Sequence, residues 1–234
     1  MAGFEDRAAD WIRFARTEGH DSYWLYRDAF FRLLPPPPAR TLDLGCGEGR
    51  VARDLAARGY AVTGLDTAPT LVAAAAEADA RSTFVVGDAA ALPFDDGAFE
   101  LVVSYNSLID VEDMRAVVAE AGRVLRGGGR FCACVPHPFS EAGEFRDADA
   151  DARFVVEGSY LAEASYQLVS DRRGIRFTFA SRRYPLEAYA RALEEAGLEI
   201  EALREPPPPG DEPHRRRRIP LFLLWRTRKL EAGG

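Results

Sequence analysis

Between Arg40 and Val135 the chain alternates short apolar, β-branched segments with helix-patterned ones, and this alternation restricts what it can fold into more than any other feature. The pattern predicts strands over 40–44, 61–66, 82–88, 100–106 and 130–135, and helices over 49–58, 69–79 and 112–125. Strands separated by helices must pair in parallel, because each crossover returns the chain to the same sheet edge; the expected fold is a doubly wound α/β sheet with helices on both faces. Pro69 suits a first helical turn, where its missing N–H is not needed. Gly127, Gly128 and Gly129 supply a positive-φ exit before the strand at 130.

Outside this stretch the pattern changes. The first 34 residues read as helical, with Trp11, Phe14, Ala15, Tyr23, Trp24, Tyr26, Phe30 and Phe31 making an aromatic face, and the prolines at 35–38 end it. Alternation lapses over 136–184, where 154–160 and 174–183 read as strands of an antiparallel insertion. It resumes with a helix over 186–196, a strand over 198–205 and a last strand over 219–228, joined through the prolines at 206–209 and a charged stretch at 211–218. We find no internal repeat. With 234 residues and 47% hydrophobic content, the expectation is a single domain: a helical cap (1–34), a core (35–135), an insertion (136–184) and a C-terminal helix and hairpin (185–234).

The formal charge of −7 argues against a surface built for a polyanion, so nucleic acid is not an expected partner. The chain holds no 18-residue apolar run, and its first ten residues carry Glu5, Asp6 and Asp10, so the reading is a cytoplasmic protein without membrane span or signal peptide. Cys46, Cys132 and Cys134 are odd in number, and the last two share one strand face; they read as buried small hydrophobes, and no metal is expected. Lys229 is the lone lysine beside 29 arginines, a skew that suggests a high-GC bacterial gene.

The strongest local signal is Leu42-Asp43-Leu44-Gly45-Cys46-Gly47-Glu48-Gly49-Arg50, a strand running through a glycine turn into a helix. In an open α/β sheet, ligands bind at the carboxyl ends of strands beside the switch point, which is where this turn falls. A dinucleotide fingerprint needs a third glycine where Arg50 stands, so a nicotinamide cofactor is the weaker reading. Asp66 ends the second strand, where a carboxylate can accept bonds from ribose hydroxyls, and Asp88, followed by Ala89, ends the third. Three acids at three successive strand ends outline a crevice for a nucleoside carrying an amino acid, the shape of S-adenosylmethionine.

With LDLGCGEGR, VTGLD (62–66), VVGDAAALPFDDGAFELVVSYNSL (85–108) and RVLRGGGRF (123–131), the chain resembles the class I S-adenosylmethionine-dependent methyltransferases, and within them the small-molecule branch of the ubiquinone/menaquinone type. The resemblance implies a Rossmann-like, seven-stranded, mostly parallel sheet with its last strand antiparallel. It also implies that Asp43, Gly45, Cys46 and Gly47 hold the methionine part of the cofactor, Asp66 and Thr67 the ribose and adenine edge, and Asp88 and Ala89 the adenine. Tyr105 would cover the cofactor near its sulfonium. Where the family often carries a His after the fourth strand, this chain has Ile109 and Asp110.

Methyl transfer from a sulfonium is an in-line displacement, so alignment and exclusion of water carry most of the catalysis. If the acceptor must lose a proton, His137, set between Pro136 and Pro138 after the fifth strand, is the first candidate base, and His20 with Asp21 the second. Tyr23 and Tyr26 are placed to close on the methionine end. Phe139, Phe145, Phe154, Tyr160, Tyr166, Phe177, Phe179 and Tyr184 give the insertion an aromatic wall suited to a hydrophobic acceptor. His214 with Arg215–Arg218 reads as a solvated charge cluster. The expected activity is methylation of a small, hydrophobic or aromatic metabolite, on oxygen before nitrogen or carbon, by a monomer or homodimer, with S-adenosylhomocysteine as product. The alternative is a cyclase-like protein that binds the cofactor without spending its methyl group.

Overall fold

The computed structural model describes residues 4–172 and 174–231; residues 1–3 of the expected cap and 232–234 of the expected C-terminal segment lie outside them. A 3-10 turn (Glu5–Arg7) leads into α1 (Ala8–Arg16) and α2 (Tyr23–Phe31). There follow β1 (Arg40–Leu44), α3 (Arg50–Ala57), β2 (Ala61–Asp66), α4 (Pro69–Ala78), β3 (Thr83–Val86), β4 (Phe99–Tyr105), α5 (Met114–Val124) and β5 (Leu125–Pro136). The insertion holds α6 (Pro138–Glu141), β6 (Gly143–Phe145), β7 (Phe154–Val156), β8 (Ala164–Arg172) and β9 (Ile175–Arg183). The chain closes with α7 (Leu186–Glu195), β10 (Leu198–Arg204), a 3-10 turn (Arg215–Arg217) and β11 (Phe222–Lys229).

Seven strands form one sheet in the order β10-β11-β5-β4-β1-β2-β3. β11 runs antiparallel to both β10 and β5, and the other pairings are parallel, as the resemblance implies. Strand order reverses between β1 and β4, which opens a crevice at their carboxyl ends. The two-residue period sorts side chains between two cores. Phe131, Ala133 and Val135 of β5 pack toward α5 and α7, whereas Cys132 and Cys134 pack toward α2 and α3. The cysteines are unpaired and buried, as small apolar residues of that second core.

Local chemistry accounts for the helix ends. Asp113 caps α5 by accepting from Arg115 N at 2.9 Å and Ala116 N at 3.2 Å. Pro69 occupies the first turn of α4. Most core boundaries shift by one to three residues, and the largest change is in β5, which starts at Leu125, paired to Phe99, with the ladder resuming at Leu101 opposite Arg130. The three glycines therefore lie in an irregularity within the strand, with Gly128 at φ +70°, and do not precede it. In the insertion, the strand expected over 154–160 shortens to three residues, and β6, β8 and α6 are additions that periodicity does not signal. β8 and β9 pair only with each other, so neither strand needs a continuous apolar face.

The N-terminal cap is clamped to the sheet by a buried charge. Glu48 is 1% exposed, and its carboxylate accepts from Arg16 Nε of α1 and Arg53 Nη2 of α3, each at 2.8 Å. The acid is buried but Arg16 and Arg53 are part-exposed, so on losing it they recover water and the loss is mainly that of the charge-assisted bonds. Glu48→Ala is expected to lower unfolding free energy by about 2 kcal/mol in urea titration, with α1 losing protection first in hydrogen exchange.

Candidate cofactor and acceptor cavity

At the carboxyl ends of β1, β2, β4 and β5 lies a cavity of about 960 Å³, roofed by α1 and α2, by the β8–β9 ribbon and by the connection between β10 and β11. Its floor is the glycine loop. Gly45, Gly47 and Gly49 have φ of +68°, +54° and +86°, a region that other L residues enter only with strain. A Cβ at Gly45 would collide with Ser107, and one at Gly47 would stand 3.0 Å from Trp11 Nε1. The loop is held by Leu65 O, which accepts from Gly45 N at 2.8 Å and Cys46 N at 3.0 Å, and by Asp66 Oδ2, which accepts from Gly47 N at 2.9 Å.

Most of the residues singled out in the sequence meet here. Gly45, Cys46, Gly47, Asp66, Thr67, Asp88, Ala89, Tyr105, Tyr26, His20 and Asp21 all line the cavity. Burial raises the Asp66 carboxyl above its usual range, and bonds from Ala68 and Gly47 N–H oppose that rise. Asp88 Oδ1 accepts from Ala90 N at 2.8 Å, which orients its exposed side chain. The Cys46 thiol is pushed well up by burial and by the nearby Asp43 and Asp66, so it stays protonated.

Asp43 and Tyr23 are not on the wall. Asp43 is 1% exposed beneath the loop, bonded by backbone N–H of Ala52 in the first turn of α3, and its Oδ2 has no partner among the described residues. Burial first, and then the charge of Asp66, push its carboxyl up to about 7. Tyr23 turns away and donates to Asp54 Oδ2 at 2.5 Å. Its ring supports the guanidinium of Arg50 at 4.4 Å, and that guanidinium donates to Asp21 Oδ2 at 2.7 Å. Asp21 also accepts from Tyr23 N, so both of its oxygens are committed and it is a half-buried structural partner on the wall. His20, beside it, is 3% exposed, lies edge-on to Phe14 at 4.7 Å and, among the described residues, has no hydrogen-bond partner for either ring nitrogen.

His137 departs from its expected place. Nδ1 accepts from Phe139 N at 3.1 Å as the cap of α6, so Nε2 carries the proton and donates to Glu205 at 2.7 Å. Pro136 lines the cavity and His137 does not, which leaves the imidazole no lone pair facing an acceptor. The aromatic wall is also smaller than expected. Phe139, Phe145, Phe154 and Tyr160 pack among themselves, Phe177 packs on Trp11 and Phe14, and Tyr184 packs on Tyr189. Only Tyr166 and Phe179 of the eight reach the cavity.

One further carboxyl, which sequence reading left without a role, reaches the cavity. Asp110 lines the cavity after β4, and Ser181 Oγ of β9 donates to its Oδ1 at 2.6 Å. Arg182 N bonds Ile109 O at 2.7 Å and fixes the ribbon to this loop. Tyr166 links Ser181 to Glu141, both on the same side. Burial pushes the Asp110 carboxyl up to about 7, with the Ser181 bond and the charge of Arg7 opposing and the charge of Asp66 adding. The available signal was the acid itself, standing where the family often has a His.

Residues 42–133 match the family described as the methyltransferase domain. The chain is 33% identical over 190 residues to the ubiquinone/menaquinone biosynthesis C-methyltransferase UbiE of Methylobacterium nodulans, covering 74% of this chain and 72% of that one. It belongs to the class I S-adenosylmethionine-dependent methyltransferases. It is also 33% identical over 177 residues to the 27-O-demethylrifamycin SV methyltransferase of Amycolatopsis mediterranei, covering 71% of this chain and 56% of that one. Several of the curated relatives it matches are spanned over only about half their length. In structure it is similar to an S-adenosylmethionine-dependent methyltransferase from Mesorhizobium loti, with a TM-score of 0.73, 25% identity, and coverage of 89% of this chain and 98% of that one.

S-adenosylmethionine is the cofactor of this methyltransferase, and the cavity fits it: a floor whose alternate positions are glycines, acids at successive strand ends and a buried small residue at Ala89. The buried acids also make stability depend on pH. Below the unfolded carboxyl range, Asp110 is protonated in both states; as pH rises toward 7 only the unfolded chain ionises, so stability is lost through the folded value of about 7. Asp110→Asn, which removes that ionisation, should exceed wild type in urea midpoint at pH 8, and the gap should narrow as pH falls and close only at about pH 4 and below, where the unfolded carboxyl is protonated too.

Proposed function

We propose that this methyltransferase transfers the cofactor's methyl group to a small molecule with an apolar body, with oxygen as the favoured acceptor atom and S-adenosylhomocysteine released. The observation that carries this reading is the continuity of one cavity from the glycine loop to the buried carboxyl of Asp110. When bound, the cofactor supplies an electrophilic methyl carbon on a cationic sulfur. Asp66 and Thr67 hold the ribose side, Asp88 and Ala89 the adenine, and the backbone of Gly45, Cys46 and Gly47 the methionine part. Asp43 contributes its field from beneath the loop, while Tyr26 and Tyr105 shield the reacting end from water.

Asp110 replaces His137 as the proton acceptor in this reading. An acceptor hydroxyl placed beside it passes its proton to the carboxylate as the new carbon–oxygen bond forms, and Ser181 holds that carboxylate in position. A carboxyl that titrates near neutrality is suited to this work. His20, with two unpartnered nitrogens at the wall, orients the acceptor or the cofactor's polar end. Asp21 and Tyr23 act through Arg50 as positioning residues.

Incubation with labelled cofactor and a panel of hydroxyl-, amine- and activated-carbon acceptors tests the reaction. Methylated product and S-adenosylhomocysteine should appear in equal amounts; product without S-adenosylhomocysteine would mark the cyclase-like alternative. Asp66→Asn should weaken S-adenosylhomocysteine binding in calorimetry by about tenfold or more, the cost of a charge-assisted contact. With a hydroxyl acceptor, Asp110→Asn should lower kcat by about 100-fold or more and remove its rise toward pH 7, whereas His137→Ala should stay within about threefold of wild type. Full activity in Asp110→Asn would favour an acceptor that needs no deprotonation.

A further inference from the structure

The arginine run at 215–218 reads in sequence as a solvated cluster, but the fold divides it. His214, Arg215 and Arg216 line the cavity, and Arg215 and Arg216 are partly buried. Arg215 donates to Asp147 O, Arg216 donates to Ser140 Oγ, and both guanidiniums lie against the Phe145 ring at 5.3 and 5.2 Å. Arg217 turns out to Glu212 O and Pro208 O, and Arg218 to Ala152 O. All of these partners are neutral. Among the described residues none of the four arginines forms an ion pair, although the chain carries 37 acids and Arg16, Arg50 and Arg53 each hold a carboxylate.

Two adjacent cations drawn partly out of water without a counter-ion repel one another. Burial, and then the charge of Arg215, work against the charged form of Arg216; Tyr26 and Glu141, which also line the cavity, favour it, although neither forms an ion pair with it among the described residues. His214 adds a donor, because its Nδ1 accepts from Arg216 N at 3.0 Å and Nε2 therefore carries the proton. Leu25, Tyr26, Pro136, Leu221 and Phe222 line the same cavity, in which the acids Asp66 and Asp110 make up another part of the wall.

We propose that His214, Arg215 and Arg216 form an anion-binding pole that selects acceptors carrying a carboxylate or phosphate on an apolar body. This inference rests on the small-molecule methyl-transfer reading and assigns its substrate class. A planar anion engages two guanidinium forks at once, which fixes one end of the acceptor and presents the other to the methyl-donating end. The pole also lowers the affinity of cationic molecules that the acids elsewhere in the cavity would attract.

The test uses the full chain, with and without S-adenosylhomocysteine, and four probes of one body: 2-naphthoate, 2-naphthyl phosphate, 2-naphthol and 2-naphthylmethylamine, titrated by calorimetry. One or both anions should bind at least tenfold more tightly than 2-naphthol, and the preferred anion distinguishes carboxylate from phosphate. The double variant R215Q/R216Q should lose that preference and keep S-adenosylhomocysteine affinity within twofold. R217Q/R218Q, which removes the same charge outside the cavity, should retain the preference and controls for folding and net charge. Equal binding of anions and 2-naphthol, no binding of any probe, a preference that survives R215Q/R216Q, or competition of the anions with S-adenosylhomocysteine would each overturn the pole. Failure of wild type to bind S-adenosylhomocysteine would count against the methyl-transfer reading alone, because the arm without it still decides the arginines.

Discussion

The backbone of the Gly45–Gly49 loop, held in the left-handed region and bonded to the end of β2, is the constraint on which the rest of this methyltransferase depends. Leu65 O and the Asp66 carboxylate take three N–H groups of the loop, so the ends of β1 and β2 are locked together. Without side chains at 45, 47 and 49, Ser107, Trp11 and Ala75 can close on the loop from three different elements. Those contacts bring the β4 exit, the N-terminal cap and α4 to one place, which makes a cavity out of what would be an open sheet edge.

Charge is handled by different means in different parts of this site. Glu48, which is buried, and Asp21, which is half-buried, are paired to arginines and serve to hold α1 and α2 over the loop. Asp43 is buried and Asp66 and Asp110 half-buried, and desolvation lifts all three despite the charges of Arg50 near Asp43 and Arg7 near Asp110. A protein can hold such groups only where their cost is offset elsewhere or their chemistry is used, and here they surround the volume available to a cationic cofactor and its acceptor. The unpaired Arg215 and Arg216 break the sign of that wall within one cavity, and an amphipathic anion resolves the asymmetry.

Much of the frame was legible in the residues themselves. The bounds of β1 and β2 agree with the alternation pattern, and Asp66, Thr67, Asp88, Ala89 and Tyr105 fall on the cavity because strand ends follow from the same pattern. The insertion was less legible. Its β8–β9 ribbon exposes Leu168 and Val169 and buries Phe177, so alternation there reports contacts with the cap instead of a sheet face. His137 misled for a related reason: proximity to the end of β5 is a backbone property, whereas its imidazole is committed to Phe139 N and Glu205, 68 residues away.

The amino-acid sequence by itself determined the parallel sheet, the glycine loop, the acids at the strand ends and the family, because each depends on local periodicity or on residues close together in the chain. Only the tertiary structure decided which of these side chains face the cavity and which are spent on one another. Asp110 finds Ser181, Glu48 finds Arg16, and Arg215 and Arg216 find the neutral Asp147 O and Ser140 Oγ, through contacts between segments far apart in sequence. Hydrogen bonds and desolvation act over a few ångströms of space, and a linear pattern carries no record of which distant groups will share them.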